Sequence, residues 1–275
     1  MENEIFETLV KRTRDYLEKN GLSCMVLGVS GGIDSTLVAA ICHEVEKQNP
    51  SLKFYGISLP CKTNKAVENM SALATLDAFC KEENKWIQSI ENQYIAVSVA
   101  AQVRMYPSKL QLGNIKARLR MIYLYNWASC CGGVVMDTDN LTEHNLGFYT
   151  IHGDQGDLNP IGMLWKHEIY ELVSWLKDHY YVNDPGKIDA LSQALQIIPT
   201  DGNGVKEGGD LEQIAPGLTY EEVDDILREY IKTGNKSTKY DSALVDKVIT
   251  RHLNTEYKRK GLPILVCERK IIGLD

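Results

Sequence analysis

The segment Cys24-Met25-Val26-Leu27-Gly28-Val29, followed at once by Ser30-Gly31-Gly32-Ile33-Asp34-Ser35, does most to limit what this chain can become. The apolar run is bounded by glycines and is too short for a helix, so it reads as a buried strand. Ile33 to Val45 carries helical spacing, and the paired glycines between the two let the backbone turn sharply. A strand that passes through a tight loop directly into a helix is the opening unit of an α/β fold.

The remaining pattern repeats that unit. Residues 3 to 19 form an amphipathic helix stopped at Gly21, Leu52 to Leu59 is a second strand closed by Pro60, and Asn64 to Phe79 is helical. Lys85 to Ile90 is a short third strand, Ile115 to Cys131 a helix, and Val134 to Asp137 a fourth strand after Gly132-Gly133. Alternation of this kind predicts a doubly wound parallel sheet with ligand chemistry at the strands' carboxyl ends.

Past residue 137 the pattern changes. Phe148 to Gly162 is rich in Gly, Asp and Asn without periodicity and reads as a long loop, a feature that is often functional. Lys166 to His179 is helical, Thr219 with Glu222 makes a capping box before a helix to Lys232, and Ser242 to Leu253 is a last helix. Residues 201–210 hold five Gly or Asn and only Val205 as an apolar anchor, so a lid that orders over ligand is expected there. No internal repeat or linker divides residues 1–275, which are read as one domain.

Charge and cysteines narrow the class. With 30 Lys and Arg against 37 Asp and Glu, the net charge of -7 has the wrong sign for general adhesion to nucleic acid. The first twenty residues alternate charged and apolar positions, which fits neither a signal peptide nor a membrane span, and a cytoplasmic protein is expected. Seven scattered cysteines include no C-x-x-C pair, so they are read mostly as small buried hydrophobes; adjacent Cys130 and Cys131 would point in different directions.

The chemistry lies in the loop after the first strand. Free N–H groups at the start of the following helix and the hydroxyls of Ser30 and Ser35 share one concavity, which makes a phosphate cradle. It has neither the lysine of a P-loop nor the G-x-G-x-x-G spacing of a dinucleotide fold. A tight turn without ligand would explain one glycine, but not Ser, Gly, Gly, Asp and Ser together.

Ser-Gly-Gly-x-Asp-Ser after a first strand resembles the pyrophosphate loop of the N-type ATP pyrophosphatases, of the Rossmann-like adenine nucleotide α-hydrolase type. Within that group the chain is similar to the NAD synthetases, through Gly113-Asn114-Ile115-Lys116-Ala117-Arg118-Leu119-Arg120-Met121, then Thr138-Asp139-Asn140 with Glu143, then Gly153-Asp154 and Asp157-Leu158-Asn159-Pro160-Ile161-Gly162 with Lys166. Pro199-Thr200 and Tyr220-Glu221-Glu222-Val223-Asp224-Asp225 complete the series.

The resemblance implies ATP on Gly28, Val29, Ser30, Gly31, Gly32, Ile33, Asp34 and Ser35, with further contacts at Thr138, Lys166 and Thr200. It implies Mg²⁺ between Asp34 and Glu143, a pairing that also suits a cation taking a few carboxylate oxygens beside phosphate oxygens. Deamido-NAD would meet Arg118, Ile151, Asp157, Tyr257 and Lys258. Two of these positions depart from the family pattern, with Ile151 in place of a lysine and Tyr257 in place of a histidine. Taken alone, Glu143 could be a surface acid, Lys166 a solvated lysine, and Arg118 part of a charged helix face with Lys116 and Arg120.

The implied activity is amidation of deamido-NAD by ammonia through an acyl-adenylate, in a homodimer. The resemblance fills the chain and leaves no room for a glutaminase domain, so ammonia would come free or from a separate amidase. An adenylating amide synthetase for another carboxylic acid is the alternative that Ile151 and Tyr257 support. A tRNA-modifying relative is opposed by the acidic balance and the absent C-x-x-C. A nucleotide sensor without turnover would need the cradle but not Asp34, Glu143 and Lys166 together.

Overall fold

The structure, a computed structural model, describes residues 1–102, 108–200 and 209–261. In chain order its elements are α1 (Glu2–Lys19), β1 (Cys24–Gly28), α2 (Ile33–Gln48), β2 (Lys53–Ser58), α3 (Ala66–Phe79), β3 (Lys85–Ile87), α4 (Glu91–Gln102), α5 (Lys109–Cys131) and β4 (Val134–Met136). They continue with α6 (Leu141–Leu146), α7 (Lys166–Trp175), α8 (Pro185–Gln196), α9 (Asp210–Ile214), α10 (Tyr220–Thr233), α11 (Ser242–Asn254) and α12 (Glu256–Arg259).

The four strands are parallel in the order β3-β2-β1-β4, with Val26 level with Tyr55 on one side and Val135 on the other. Alternate residues of β1 face opposite ways, as strand geometry requires. Met25 and Leu27 enter a core with Phe6 and Val10 of α1, Leu37 of α2, Leu76 of α3 and Ile169 of α7. Cys24 and Val26 join Ile57, Leu119, Leu124 and Val135 in a second core under α5. Helices on both faces of a parallel sheet are the doubly wound architecture expected from the alternation. A third apolar cluster, built from Leu146, Trp165, Ile226, Val245 and Val248, seats α10 and α11 beside α6 and α7.

Several boundaries move. The third strand stops at Ile87, although Gln88 and Ile90 still donate backbone bonds to Ser58 and Pro60. The helix expected from Ile115 begins at Lys109, because Ser108 and Gln111 form a capping box that reading from Gly113 onward misses. The helix expected over Lys166 to His179 passes at Leu176 into a π-helical turn. The helices α4 and α8 are additions to the sequence reading. The expected lid falls almost wholly outside the described residues, of which Gly209 and Asp210 begin α9. Among the described residues no helix is long and apolar enough to cross a membrane.

The cysteine reading needs one correction. Cys42 and Cys61 are buried free thiols and Cys130 is exposed, but Cys24 and Cys131 form a disulfide across a separation of 107 residues. The adjacent pair does point two ways: Cys131 turns toward the start of β1 while Cys130 faces solvent. Digestion without reductant is expected to release the peptides of Cys24 and Cys131 as one linked species. Recovery of both as separately alkylated thiols would overturn the pairing.

Candidate active site

The loop after β1 lies where parallel strands end, and its own atoms shape it. Val29 N donates to Ile57 O at 2.9 Å, pinning the loop to β2, and the hydroxyls of Ser30 and Ser35 lie 3.0 Å apart. Gly31 takes a left-handed φ of 87°, where a side chain would strike the backbone of α3. Gly32 precedes the first residue of α2, which has no side-chain cap, so that helix presents its amino end unblocked.

Strand order explains how the acids meet. Asp34 follows β1 and Glu143 follows β4, and these strands are neighbours. Between the two carboxylates stands Lys166, whose Nζ is 2.5 Å from Asp34 Oδ2 and 3.2 Å from Glu143 Oε1. Asn140 Nδ2 donates to the other Asp34 oxygen at 2.9 Å, and Asn140 caps α6 in a box with Glu143. Burial works against the Lys166 ammonium, but Asp34 and Glu143 outweigh it and hold its pKa well above the ordinary value. Burial pushes Glu143 up to about 7, against the pull of Lys166. Burial with Asp137 close by also raises Asp139 well above the carboxylate range. Around Lys166 the acids outnumber the single ammonium, so this corner of the pocket favours a further cation.

These groups open on one cavity of about 680 Å³, in the usual range for small-molecule sites. Gly28, Val29, Ser30, Gly32, Ile33, Asp34, Ser35, Thr138, Glu143, Lys166 and Thr200 line it, as do Arg118, Ile151, Tyr257 and Lys258. Two expected residues stand off its wall. Gly31 is tucked against α3, and Asp157 turns its carboxylate to Val135 N at 2.9 Å, bracing the loop against β4. Lys258 lines the cavity, yet its ammonium donates to Gly147 O and Tyr149 O and lies over the Tyr149 ring, so it also clamps that turn. Thr200 Oγ1 donates to Glu68 Oε1 at 2.9 Å, tying it to α3.

Arg120 has a part in the site beyond its place in the motif. Its guanidinium donates to Leu59 O at 3.1 Å and Asn64 Oδ1 at 3.1 Å on the cavity wall. Arg251 also lines the cavity, lying over the Phe148 ring and donating to Leu146 O. Arg120 stood two residues from Arg118 in a helix, a spacing that gives no common face. Arg251 carried no motif at all. Among the described residues no three acids, histidines or cysteines group as a complete metal site, so a cation here would share its shell with ligand oxygens and water.

The family model described as NAD synthase matches residues 5–262. An NH(3)-dependent NAD(+) synthetase of Carboxydothermus hydrogenoformans is 32% identical over 257 residues, covering 92% of this chain and 93% of that one. Its counterpart from Syntrophomonas wolfei is 30% identical over 264 residues, 93% of each chain. Among solved structures, an NH3-dependent NAD synthetase from Campylobacter jejuni superposes with TM-score 0.72 at 26% identity, covering 96% of this chain and 99% of that one. An NMN synthetase from Francisella tularensis gives TM-score 0.78 at 23% identity, with 97% and 99% covered, a likeness of fold. With a glycine loop, an acid pair and a bridging lysine on one cavity, and with a match that runs nearly end to end, this chain belongs to the NAD synthase family.

Proposed function

We infer that the chain catalyses ATP-dependent amidation of deamido-NAD to NAD with ammonia as the nitrogen donor, releasing AMP and pyrophosphate. The observation that carries this reading is the meeting of the Ser30–Ser35 loop with Asp34, Glu143 and Lys166 on a cavity whose other wall holds Arg118, Arg120 and Arg251.

The nicotinate carboxylate of deamido-NAD attacks the α-phosphorus of ATP and pyrophosphate leaves, giving an acyl-adenylate; ammonia then attacks the acyl carbon and AMP departs. The loop backbone and the amino end of α2 hold the leaving pyrophosphate, where their N–H dipoles already point. Asp34 and Glu143 fit a divalent cation, since both are carboxylates beside the phosphate loop whose oxygens keep lone pairs beyond their bonds to Lys166 and Asn140, and Mg²⁺ bound there would supply positive charge to phosphate oxygens. Lys166, anchored at the start of α7 with its ammonium between those carboxylates, would donate to phosphate oxygens. Arg118, whose guanidinium donates to Ile151 O at 3.2 Å, holds the acceptor side together with Tyr257. The reading extends to a homodimer in the cytoplasm, supplied with free ammonia or by a separate amidase.

The test is a coupled measurement of AMP, pyrophosphate and NAD from ATP, ammonium and deamido-NAD, with equal yields expected. AMP release that needs a different carboxylic acid and ignores deamido-NAD would overturn the acceptor's identity. The Ile151→Lys variant is expected to lower the apparent KM for deamido-NAD about ten-fold, the lower end of what a charge-assisted contact contributes. The apparent KM for ATP should move little. An unchanged deamido-NAD KM would remove residue 151 from the acceptor wall.

A further inference from the structure

Neither Glu143 nor Lys166 is held in place by its charged end alone. Each has a neighbour in sequence whose side chain or backbone runs away from the cavity to a single buried group. Thr142, the residue before Glu143, donates its hydroxyl to Asp224 Oδ1 at 2.5 Å. His167, the residue after Lys166, donates to Asp224 Oδ2 through its backbone N at 3.1 Å and faces the same oxygen with Nδ1 at 2.8 Å. Thr142 Oγ1 in turn accepts from Lys166 N at 2.9 Å, closing the set.

Asp224 is fully buried and does not line the cavity. Its helix, α10, is seated by Val223, Ile226 and Leu227 in the third apolar cluster, so the carboxylate projects from a fixed base. The first turn of α7 has N–H groups with no partner inside the helix, and here Thr142 and Asp224 supply acceptors for two of them. A negative group at the start of a helix is also favoured by its dipole.

We propose that Asp224 is a positioning residue for the ATP side of the site, fixing Glu143 and Lys166 relative to each other by gripping Thr142 and His167. This rests on the functional reading above. Asp224 touches no reacting atom; it sets where α6 and α7 begin. Its loss should therefore act on the nucleotide side and spare the acceptor wall, which is built from α5, the loop from Phe148 and the chain near Tyr257.

The test is calorimetric titration with the magnesium complex of α,β-methylene-ATP, alongside the apparent KM for deamido-NAD. Asp224→Ala is expected to weaken analogue binding at least about ten-fold, as removal of a supporting shell usually does, while the deamido-NAD KM stays within about two-fold. Asp224→Asn keeps an acceptor for His167 and should recover part of the loss. Thr142→Val breaks the network from the other side without touching α10, and carries the test if Asp224→Ala does not fold. Combined with Asp224→Asn, it should be less than additive, because both act through one link. Folded variants that bind the analogue as wild type does would overturn the proposal, and so would an equal loss of analogue and acceptor affinity, which marks general loosening. Wild-type protein that takes up no analogue would overturn the functional reading as well.

Discussion

Asp34→Asn is expected to lower the rate of pyrophosphate release about 10²- to 10³-fold, the usual consequence of removing one preorganised electrostatic group from a charged transition state. The geometry also ranks two substitutions. Asp34 receives Lys166 on one oxygen and Asn140 Nδ2 on the other, at 2.5 and 2.9 Å, so either orientation of an Asn amide sets its NH₂ against a donor. Glu143 receives Lys166 more loosely at 3.2 Å on one oxygen and Asn140 N on the other. Burial already presses its charge toward the neutral form. Glu143→Gln should accordingly cost less activity than Asp34→Asn. Steady-state pyrophosphate assays on proteins with unchanged far-UV circular dichroism check both the size and the order. Turnover near the wild-type rate in folded Asp34→Asn would discard the assignment of this carboxylate to the phosphate side.

Gly31→Ala is the second large effect, and it falls on the fold. A Cβ at Gly31 would lie 2.2 Å from Glu68 O and 2.7 Å from Ala72 N, both backbone atoms of α3, at a φ of 87° that side chains rarely adopt. Strained backbone and overpacking together cost about 2–5 kcal/mol. The loop cannot slide to relieve the clash, because Ser71 Oγ donates to Gly31 O at 2.7 Å and Val29 is bonded to β2. Gly32→Ala one residue on meets nothing nearer than Ser30 Oγ at 3.5 Å and should cost far less. Urea denaturation midpoints of the two variants separate them. Equal midpoints would show that α3 does not set the shape of the loop.

What the sequence shows well is what lies close together along it. The strand, the glycine loop and the following helix are contiguous, so their order, their fold class and the loop's meeting with Asp34 can be read directly. The helix α4 could not, because its apolar residues Ile95, Val97 and Val99 are exposed and leave no one-sided stripe. The helix α8 could have been found: Asp184 followed by Pro185 is an N-cap before a first-turn proline, and Asp184 Oδ1 does accept from Lys187 N at 3.2 Å.

At the site, motif order suggested which residues gather but not which way they face. Asp157 and Lys258 both fall within matched segments, yet one braces β4 and the other divides its donors among backbone carbonyls. Contacts such as Thr142 to Asp224, or Cys24 to Cys131, join residues 82 and 107 positions apart. No periodicity or spacing rule reaches that far.

The strand order has a consequence for how such a protein can change over time. Adjacent strands lie about 4.8 Å apart, so the parallel pairing of β1 with β4 brings together the strand ends that lead to Asp34 and Glu143, however long the connection between the two strands becomes. The wall proposed for the acceptor is assembled from other parts: Arg118 on α5, Ile151 in the loop after α6, and Tyr257 on α12. Mutations that retune acceptor recognition can accumulate there without moving the phosphate machinery. On the proposed assignment, lineages on this scaffold would be free to exchange one carboxylic acid partner for another while inheriting the adenylation step intact.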